Sequence, residues 1–562
     1  MTNKRLALTN GRIFPGKGED CQAVLISGDR IEAMGSTAKI QALAGPDAAH
    51  VDLGGRRVIP GFVDSHNHVL SGALLLTGVN CFGMTSIDEL KAAVAKKAAE
   101  VGPGEWVTGA GWIESQFKEG RMPNRRDLDE AAPHNPVVLG RLFAVVAANS
   151  LALEIAGVLK GYVPATGRVD LDESGEPTGI LREGAQGLVR RAAQKQKMSA
   201  SGGLSKSAGG ELGVSGGGDT ESRIKLALNE YLKYGITSVL DPGANVTLMH
   251  AYTSLRSKGE LPLRVTAMPA WHGISIISGD YTVLPAIEAG LQPGLGDEWF
   301  RVGNLKMAID GGLGSKTALM HEPFRDFTRS TVPVRLDLNK LGSYIREANE
   351  EGWGAGIHCC GDLAQDIAVS HMVDAFRARR PLPHQRHHIV HGYFPTEYSL
   401  RAMAANDIAV STQPGFIYVE GDAYPAVIDE SRLADFKPLR TYLNRGIKVA
   451  INSDVSSGPF DPFVVLYGAV ARKTVKGLDF GQAEALTARE AVNCFCSGGA
   501  YLAYRDAECG ALEPGKLADL AVLDRDILDG PAEDILKCKV DGTMLGGKFV
   551  YLREGSFSAT RT

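Results

Sequence analysis

PGFVDSHNHVLSG (residues 60–72) closes an apolar, β-rich run at 58–64 and sets His66 and His68 two residues apart just beyond it. Residues i and i+2 of a strand share one face, so reading this run as a strand points both imidazoles the same way. At the C-terminal rim of a barrel of parallel strands, that face converges on a common centre where imidazole nitrogens can meet a metal ion. An H-x-H pair also suits surface or packing histidines, so the weight falls on what ends the other runs.

Seven more apolar runs end in polar or glycine residues, at 236–241, 263–269, 302–309, 354–358, 388–391, 408–411 and 447–452. Helical stretches at 221–234, 338–350, 364–377 and 396–404 supply crossovers between them. Eight parallel strands joined by helices close into a barrel, so the fold class is α/β, a (β/α)8 TIM barrel. Short strands crowd both chain ends and can pair into one small, discontinuous β-sandwich. The expected domains are therefore 1–60 with 500–562 as the sandwich and 61–499 as the barrel. A large insertion at about 70–230 follows strand one and carries its own elements at 87–100, 106–112 and 136–142. Its segment KMSASGGLSKSAGGELGVSGGGDT (residues 197–220) is too rich in Gly and Ser to bury much apolar surface, so loop 199–219 is predicted mobile, either an inert linker or a lid.

The same strand ends carry further donors. RVGNLKMAIDGG (301–312) places Lys306 inside an apolar strand, where an unpaired ammonium is costly to bury. GIHCCGD (356–362), HHIVHG (387–392) and INSD (451–454) present His358, His391 and Asp454. Each alone reads more readily as a satisfied core histidine or a turn-capping aspartate. Their joint arrival at strands one, four, five, six and eight favours one centre, and nitrogen with oxygen donors suits zinc or a similar divalent ion. Of the three histidines in HHIVHG, alternation sets His387 on the face of His391 and His388 opposite, both as structural residues.

Composition narrows the partners. The chain has 562 residues, is 44% hydrophobic and 22% charged, and carries a formal charge of -5, which gives no electrostatic reason to expect nucleic acid or an anionic membrane. The N-terminal MTNKRLALTNGRIF is too briefly apolar for a signal peptide, and no apolar stretch of about 18 residues follows, so a cytoplasmic protein with a small-molecule substrate is expected. Eight cysteines lack the C-x-x-C spacing of structural zinc or redox sites and read as reduced thiols, mostly packing residues.

These residues resemble the amidohydrolase superfamily, and within it the long cytoplasmic branch that includes the N-substituted formamide deformylases. The resemblance spans nearly the whole chain: the PGF-x-D-x-H-x-H motif at 60–68, GILRE at 179–183, KMAIDGGLGSKTA at 306–318, HCCGDLA at 358–364, Asp454, and LEPGKLADLAVLD at 512–524. The last belongs to the β-sandwich that accompanies such barrels. The resemblance implies a metal-dependent hydrolase of C–N bonds other than peptide bonds, with one or two divalent ions, zinc foremost. It further implies that Lys306 carries CO2 as a carbamate bridging two metals, although some branches use one metal and no bridge, and that homo-oligomers form. Two positions depart from the branch: Val390 stands where a glutamate is usual, and Ala144 where a histidine often precedes Asn-Ser.

The expected mechanism has His66, His68 and Asp454 holding one ion, His358 and His391 a second, and carboxylated Lys306 between them. Water activated by the metal attacks, and Asp454 takes its proton and delivers it to the leaving nitrogen. Trp112, Trp271, His272 and Asp310 are candidates for substrate contact, and Asp362 for orienting a ligand, against the plainer readings of buried packing and turn capping. Metal-dependent decarboxylation or hydration on the same site, and a non-catalytic binding protein of this fold, are the alternatives.

Overall fold

Nine parallel strands in two sheets occupy the centre of the computed structural model, which describes residues 5–141, 145–200, 217–271, 290–330 and 336–557, with only the backbone at 194–200 and 217–219. The first sheet runs β1 (Phe62–Asp64), β2 (Ile236–Ala244), β3 (Arg264–Pro269) and β4 (Phe300–Val302), each paired with the next. The second runs β5 (Leu305–Ala308), β6 (Ala355–Cys359), β7 (His388–His391), β8 (Ala409–Thr412) and β9 (Val449–Ile451). A parallel bridge between Ala270 and Lys306 joins the two sheets on one side. On the other, Asp454 N donates to the His66 carbonyl at 2.9 Å and His68 N to the Val455 carbonyl at 3.0 Å.

All eight apolar runs contain such strands because a parallel strand is buried on both faces and reads as a continuous apolar stretch. Ile357, Ile389 and Val410 pack outward with Ile345, Met372 and Met403 of the crossover helices Leu338–Glu350, Asp362–Ala378 and Glu397–Ala405. Val63, Leu240, Met268, Ala409 and Ala450 form a separate cluster on the opposite face.

Two runs are split. The run at 302–309 is interrupted at Gly303 and Asn304, where the Asn304 side chain donates to the Arg386 carbonyl at 2.5 Å. The run at 58–64 breaks after Pro60: Arg57–Pro60 pairs antiparallel with Leu520–Leu523, and only then does β1 begin. Gly61 at that junction is fixed by close approach, since a Cβ there would lie 2.3 Å from Thr237 Oγ1.

Strands from both chain ends share one sheet, in the order Arg12–Ile13, Arg57–Pro60, Leu520–Leu523, Val540–Leu545 and Lys548–Leu552. A second sheet of Arg5–Thr9, Ala23–Ser27, Arg30–Gly35 and Ala49–Asp52 contributes Leu8, Val24 and Ile31 to the same cluster as Leu520, Val522 and Met544. The insertion builds its own six-stranded sheet, which includes Val107–Ala110 and Val137–Gly140. The predicted loop 199–219 lies outside the described residues except where helices Gln186–Ala200 and Gly217–Leu232 reach its edges. Among the described residues no helix is long and apolar enough to cross a membrane.

Candidate active site

The strand expectation for His66 and His68 needs correction. β1 stops at Asp64, and His68 occupies the N-cap of the helix Val69–Thr77. Both imidazoles nevertheless reach one point because Asp64 sews the end of β1 to the end of β9. Its buried carboxylate accepts from Asn67 Nδ2 at 2.9 Å, from Ser453 N at 3.0 Å and from Ser453 Oγ at 2.5 Å. Burial pushes the Asp64 carboxyl up to about 6, against the pull of the Ser453 and Asn67 hydrogen bonds. With the seam closed, the Nε2 atoms of His66 and His68 stand 3.7 and 3.5 Å from Asp454 Oδ1.

His391 also leaves strand alternation. Strict alternation would send it to the helix side with Ile389, but its φ of +78° is left-handed and turns the ring into the cleft. Asp454 has the same unusual backbone, with φ +50°. Non-glycine residues held this way carry strain of order 1–3 kcal/mol, which the surrounding structure must offset. His387 therefore does not share the face of His391: its ring lies 4.7 Å from Phe376 and its Nδ1 accepts from Ala355 N.

His391 Nε2 lies 2.8 Å from His358 Nδ1, and His358 Nε2 lies 3.0 Å from the Gly311 carbonyl. On its other edge, His391 Nδ1 donates to Gln413 Oε1 at 2.9 Å, an oxygen that also accepts from Lys437 Nζ at 2.9 Å. Gln413 thereby fixes the tautomer of His391 and leaves Nε2 as an acceptor, facing His358 Nδ1 in the cleft. Burial first, then the Lys306 charge among others, holds His66 well below the ordinary imidazole range. His391 is held down likewise, by burial, then His358 and Lys306. Both rings are neutral at neutral pH, the form that binds metal.

Two groups of donors result, His66–His68–Asp454 and His358–Cys360–His391, in each of which one ligand atom per residue lies within 4.8 Å of the others. Lys306, buried in β5, lines the same cleft as both groups, a space of about 810 Å³ counting its open mouth. The donors fit a divalent ion by the spacing of their atoms. The separations of 3.5 and 3.7 Å around Asp454 Oδ1 are too long for good hydrogen bonds. They match two ligands each about 2.0–2.2 Å from one tetrahedral ion, which sit about 3.4 Å apart.

The sequence pattern of the amidohydrolase family matches residues 49–551. The chain belongs to that family. It is 28% identical over 569 residues to the N-substituted formamide deformylase of Arthrobacter pascens, covering 99% of both chains. To the putative amidohydrolase YtcJ of Bacillus subtilis (strain 168) it is 27% identical, covering 95% of this chain and 97% of that one. Among solved structures, an uncharacterized metal-dependent hydrolase from Pyrococcus horikoshii OT3 superimposes with a TM-score of 0.71 at 25% identity, covering 94% of this chain and 99% of that chain.

Of the candidates for substrate contact, Trp112, Trp271 and Asp310 are not among the residues lining the cleft of this amidohydrolase. Trp112 is buried in the core of the insertion, where its Nε1 donates to the Leu139 carbonyl at 3.1 Å. Trp271 packs in the apolar cluster that the crossover helices share, against Tyr344. His272 lies outside the described residues, as does Ala144. Asp310 holds backbone, accepting from Leu319 N, Cys360 N and Gly361 N at 2.9, 3.0 and 2.7 Å. Asp362 accepts from His321 N at 2.8 Å and pairs with Arg432 at 2.7 Å, so it organises a loop rather than a ligand. Val390 is fully buried within β7.

Sequence reasoning missed Cys360, Gln413, Lys437 and, at the outer end of the cleft, Arg141 and Glu420. Arg141 is buried and forks onto Glu114 at 2.7 and 3.0 Å, while burial raises the Glu420 carboxyl, which accepts from Tyr424 Oη at 2.8 Å. One signal was available: His358 and Cys360 form an H-x-C with the spacing of the H-x-H at 66–68.

Proposed function

We propose that this amidohydrolase is a metal-dependent hydrolase that cleaves a C–N bond in a small amide, N-acyl compound, formamide or cyclic amide, other than a peptide bond. One observation carries the reading: two groups of metal donors from distant parts of the chain face one buried cleft, with Lys306 in its wall. The two parallel sheets are read as arcs of a single closed (β/α)8 barrel at residues 61–499, joined at Ala270–Lys306 and at His66–Asp454. Residues 1–60 and 500–562 form the β-sandwich beside it. Similarity to a relative named for N-substituted formamides favours the C–N substrates.

In this reading His66, His68 and Asp454 hold one ion, and His358 and His391 a second, with zinc suited to the nitrogen-rich donors. When bound, such ions acidify water to a pKa of about 7 and polarise a carbonyl oxygen. Lys306 would lose its ammonium proton and, as the amine, add CO2 with release of a second proton; the carbamate would replace a buried cation with one negative charge shared over two oxygens that could serve as ligands to both ions. Asp454 accepts the proton of the attacking water and passes it to the leaving nitrogen as the C–N bond breaks. Water's oxygen ends on the acyl carbon and its hydrogen on the amine. Gln413 and Asp64 hold His391 and the β1–β9 seam in place throughout.

The test is metal analysis of the purified protein together with turnover of formamides, N-acyl amines, lactams and cyclic ureas. We expect bound divalent metal and release of amine and acid from at least one class. Carbon dioxide as the product from a formamide, N-acyl amine or lactam, or full turnover after metal removal, overturns the reading.

A further inference from the structure

The eight cysteines of the chain do not have the same surroundings. Cys359 belongs to the apolar cluster on the helix side of β6, together with Ile357 and Ala364. Its neighbour Cys360 lines the cleft with His358, His391, Lys306 and Asp454. The side chains part because β6 ends at Cys359 and the backbone beyond it is clamped. Asp310 grips the N–H groups of Cys360 and Gly361 at 3.0 and 2.7 Å. Gly361 admits no alternative path, since a Cβ there would lie 1.9 Å from the Leu319 carbonyl oxygen. The loop thus presents Cys360 Sγ 3.5 Å from the His358 ring.

We propose that Cys360 is a ligand of the second ion, making that site a centre of two imidazoles and one thiolate built from His358, His391 and Cys360. The proposal rests on the metal-dependent reading above and extends it to the identity of the ion. The three side chains are buried, and one donor atom from each lies within 4.8 Å of the others. His391 is turned toward them by its left-handed backbone and its bond to Gln413, and Cys360 by the Asp310 clamp. On binding, the ion replaces the thiol hydrogen, which leaves to solvent as a proton. A thiolate is a soft ligand, so the second site takes zinc, cobalt(II) or cadmium and rejects magnesium, calcium and manganese. The first group, with two imidazoles and a carboxylate, lacks that restriction.

The alternative is a plain thiol hydrogen-bonded to the His358 ring, and cobalt(II) distinguishes the two. Full-length protein stripped of metal is titrated with cobalt(II) while the near-ultraviolet sulfur-to-cobalt charge-transfer band is followed. Cys360→Ser and Cys359→Ser run beside it, with circular dichroism to establish that each is folded. The expected result is a charge-transfer band in the parent and in Cys359→Ser. Cys360→Ser loses that band, retains the ion of the first group, and binds the other at least about tenfold more weakly. Uptake of cobalt by the parent with no such band, or a band that survives in Cys360→Ser, overturns the thiolate ligand while leaving the metal-dependent reading intact. No cobalt uptake by folded parent protein overturns both.

Discussion

The two donor groups are held in place by different means. His358 and His391 lie on β6 and β7, which are paired along their length with Cys359 opposite His391, so backbone hydrogen bonds set the spacing of the two imidazoles, and Cys360 follows one residue beyond β6. His66, His68 and Asp454 lie beyond the ends of β1 and β9, the outermost strands of the two sheets, and no ladder joins those strands among the described residues. The seam there depends on two backbone bonds and the buried Asp64 carboxylate. A centre made on paired strands is positioned by the sheet, whereas one made at a seam is positioned by polar side chains. The second arrangement is the more exposed to pH and to single substitutions.

The largest effect is expected at the seam's own catalytic group. Asp454→Asn keeps the shape and removes the proton acceptor, so turnover should fall by about 10²–10⁴-fold. Apart from Lys306, the His358–Cys360–His391 group shares no proposed ligand with the Asp454 group and should keep its ion, so metal content should drop by no more than one equivalent. Near-normal turnover would end the role given to Asp454, and loss of all metal would end the independence of the two groups.

Asp64 gives the next largest effect, and its sign can be worked out. Burial raises its carboxyl to about 6 in the folded chain, above the value of about 3.9 expected when unfolded. Between those values the folded state binds more protons, so this contribution to stability is complete below about pH 4 and is lost as pH rises through about 6. Two pKa units correspond to on the order of 3 kcal/mol. Asp64→Asn abolishes the titration. In metal-free protein the difference in unfolding free energy between parent and variant should therefore change across pH 4–6, with the parent losing ground as pH rises. The neutral imidazoles of His66 and His391 have depressed values and destabilise the fold as pH drops below about 6.5, but they do so in both proteins and cancel. A difference that does not vary with pH would remove the carboxylate from the account of the seam.

The contrast between seam and sheet also explains what the sequence disclosed. Parallel strands announce themselves as apolar runs, and donors that end those runs were readable at Lys306, His358, His391 and Asp454 without any knowledge of the loops. His66 and His68 were found through a periodicity that the chain does not follow, because β1 has already ended where they stand. The backbone turns at His391 and Asp454 lie beside tertiary partners such as Gln413 and Asp64, which no local pattern encodes. Trp112 looked available because its strand belongs to an insertion whose own core was not visible in the periodicity. Cys360 looked like packing, and it does join an apolar cluster with Leu313, Ala318 and Tyr393 while also lining the cleft. Arg141 and Glu420 come from the insertion and from the helix Gly415–Glu420 after β8, and meet at the cleft only in the folded chain.

Gln413 offers the finest division between the two groups. Its Oε1 accepts from His391 Nδ1 and Lys437 Nζ, and its Nε2 donates to Asn452 Oδ1 at 2.9 Å. Lys437 is fully buried over the Tyr393 ring at 3.9 Å, and burial holds its ammonium well below the ordinary lysine range. Gln413→Leu takes away the acceptor that orients His391, which should weaken the second ion by about 10–100-fold in chelator competition. The ion at His66, His68 and Asp454 should hold its affinity, since neither imidazole there touches Gln413. Gln413→Glu keeps an acceptor for both His391 and Lys437 and should restore most of the lost affinity. Equal weakening of both ions by Gln413→Leu would mean that the sheet and the seam form a single coupled unit.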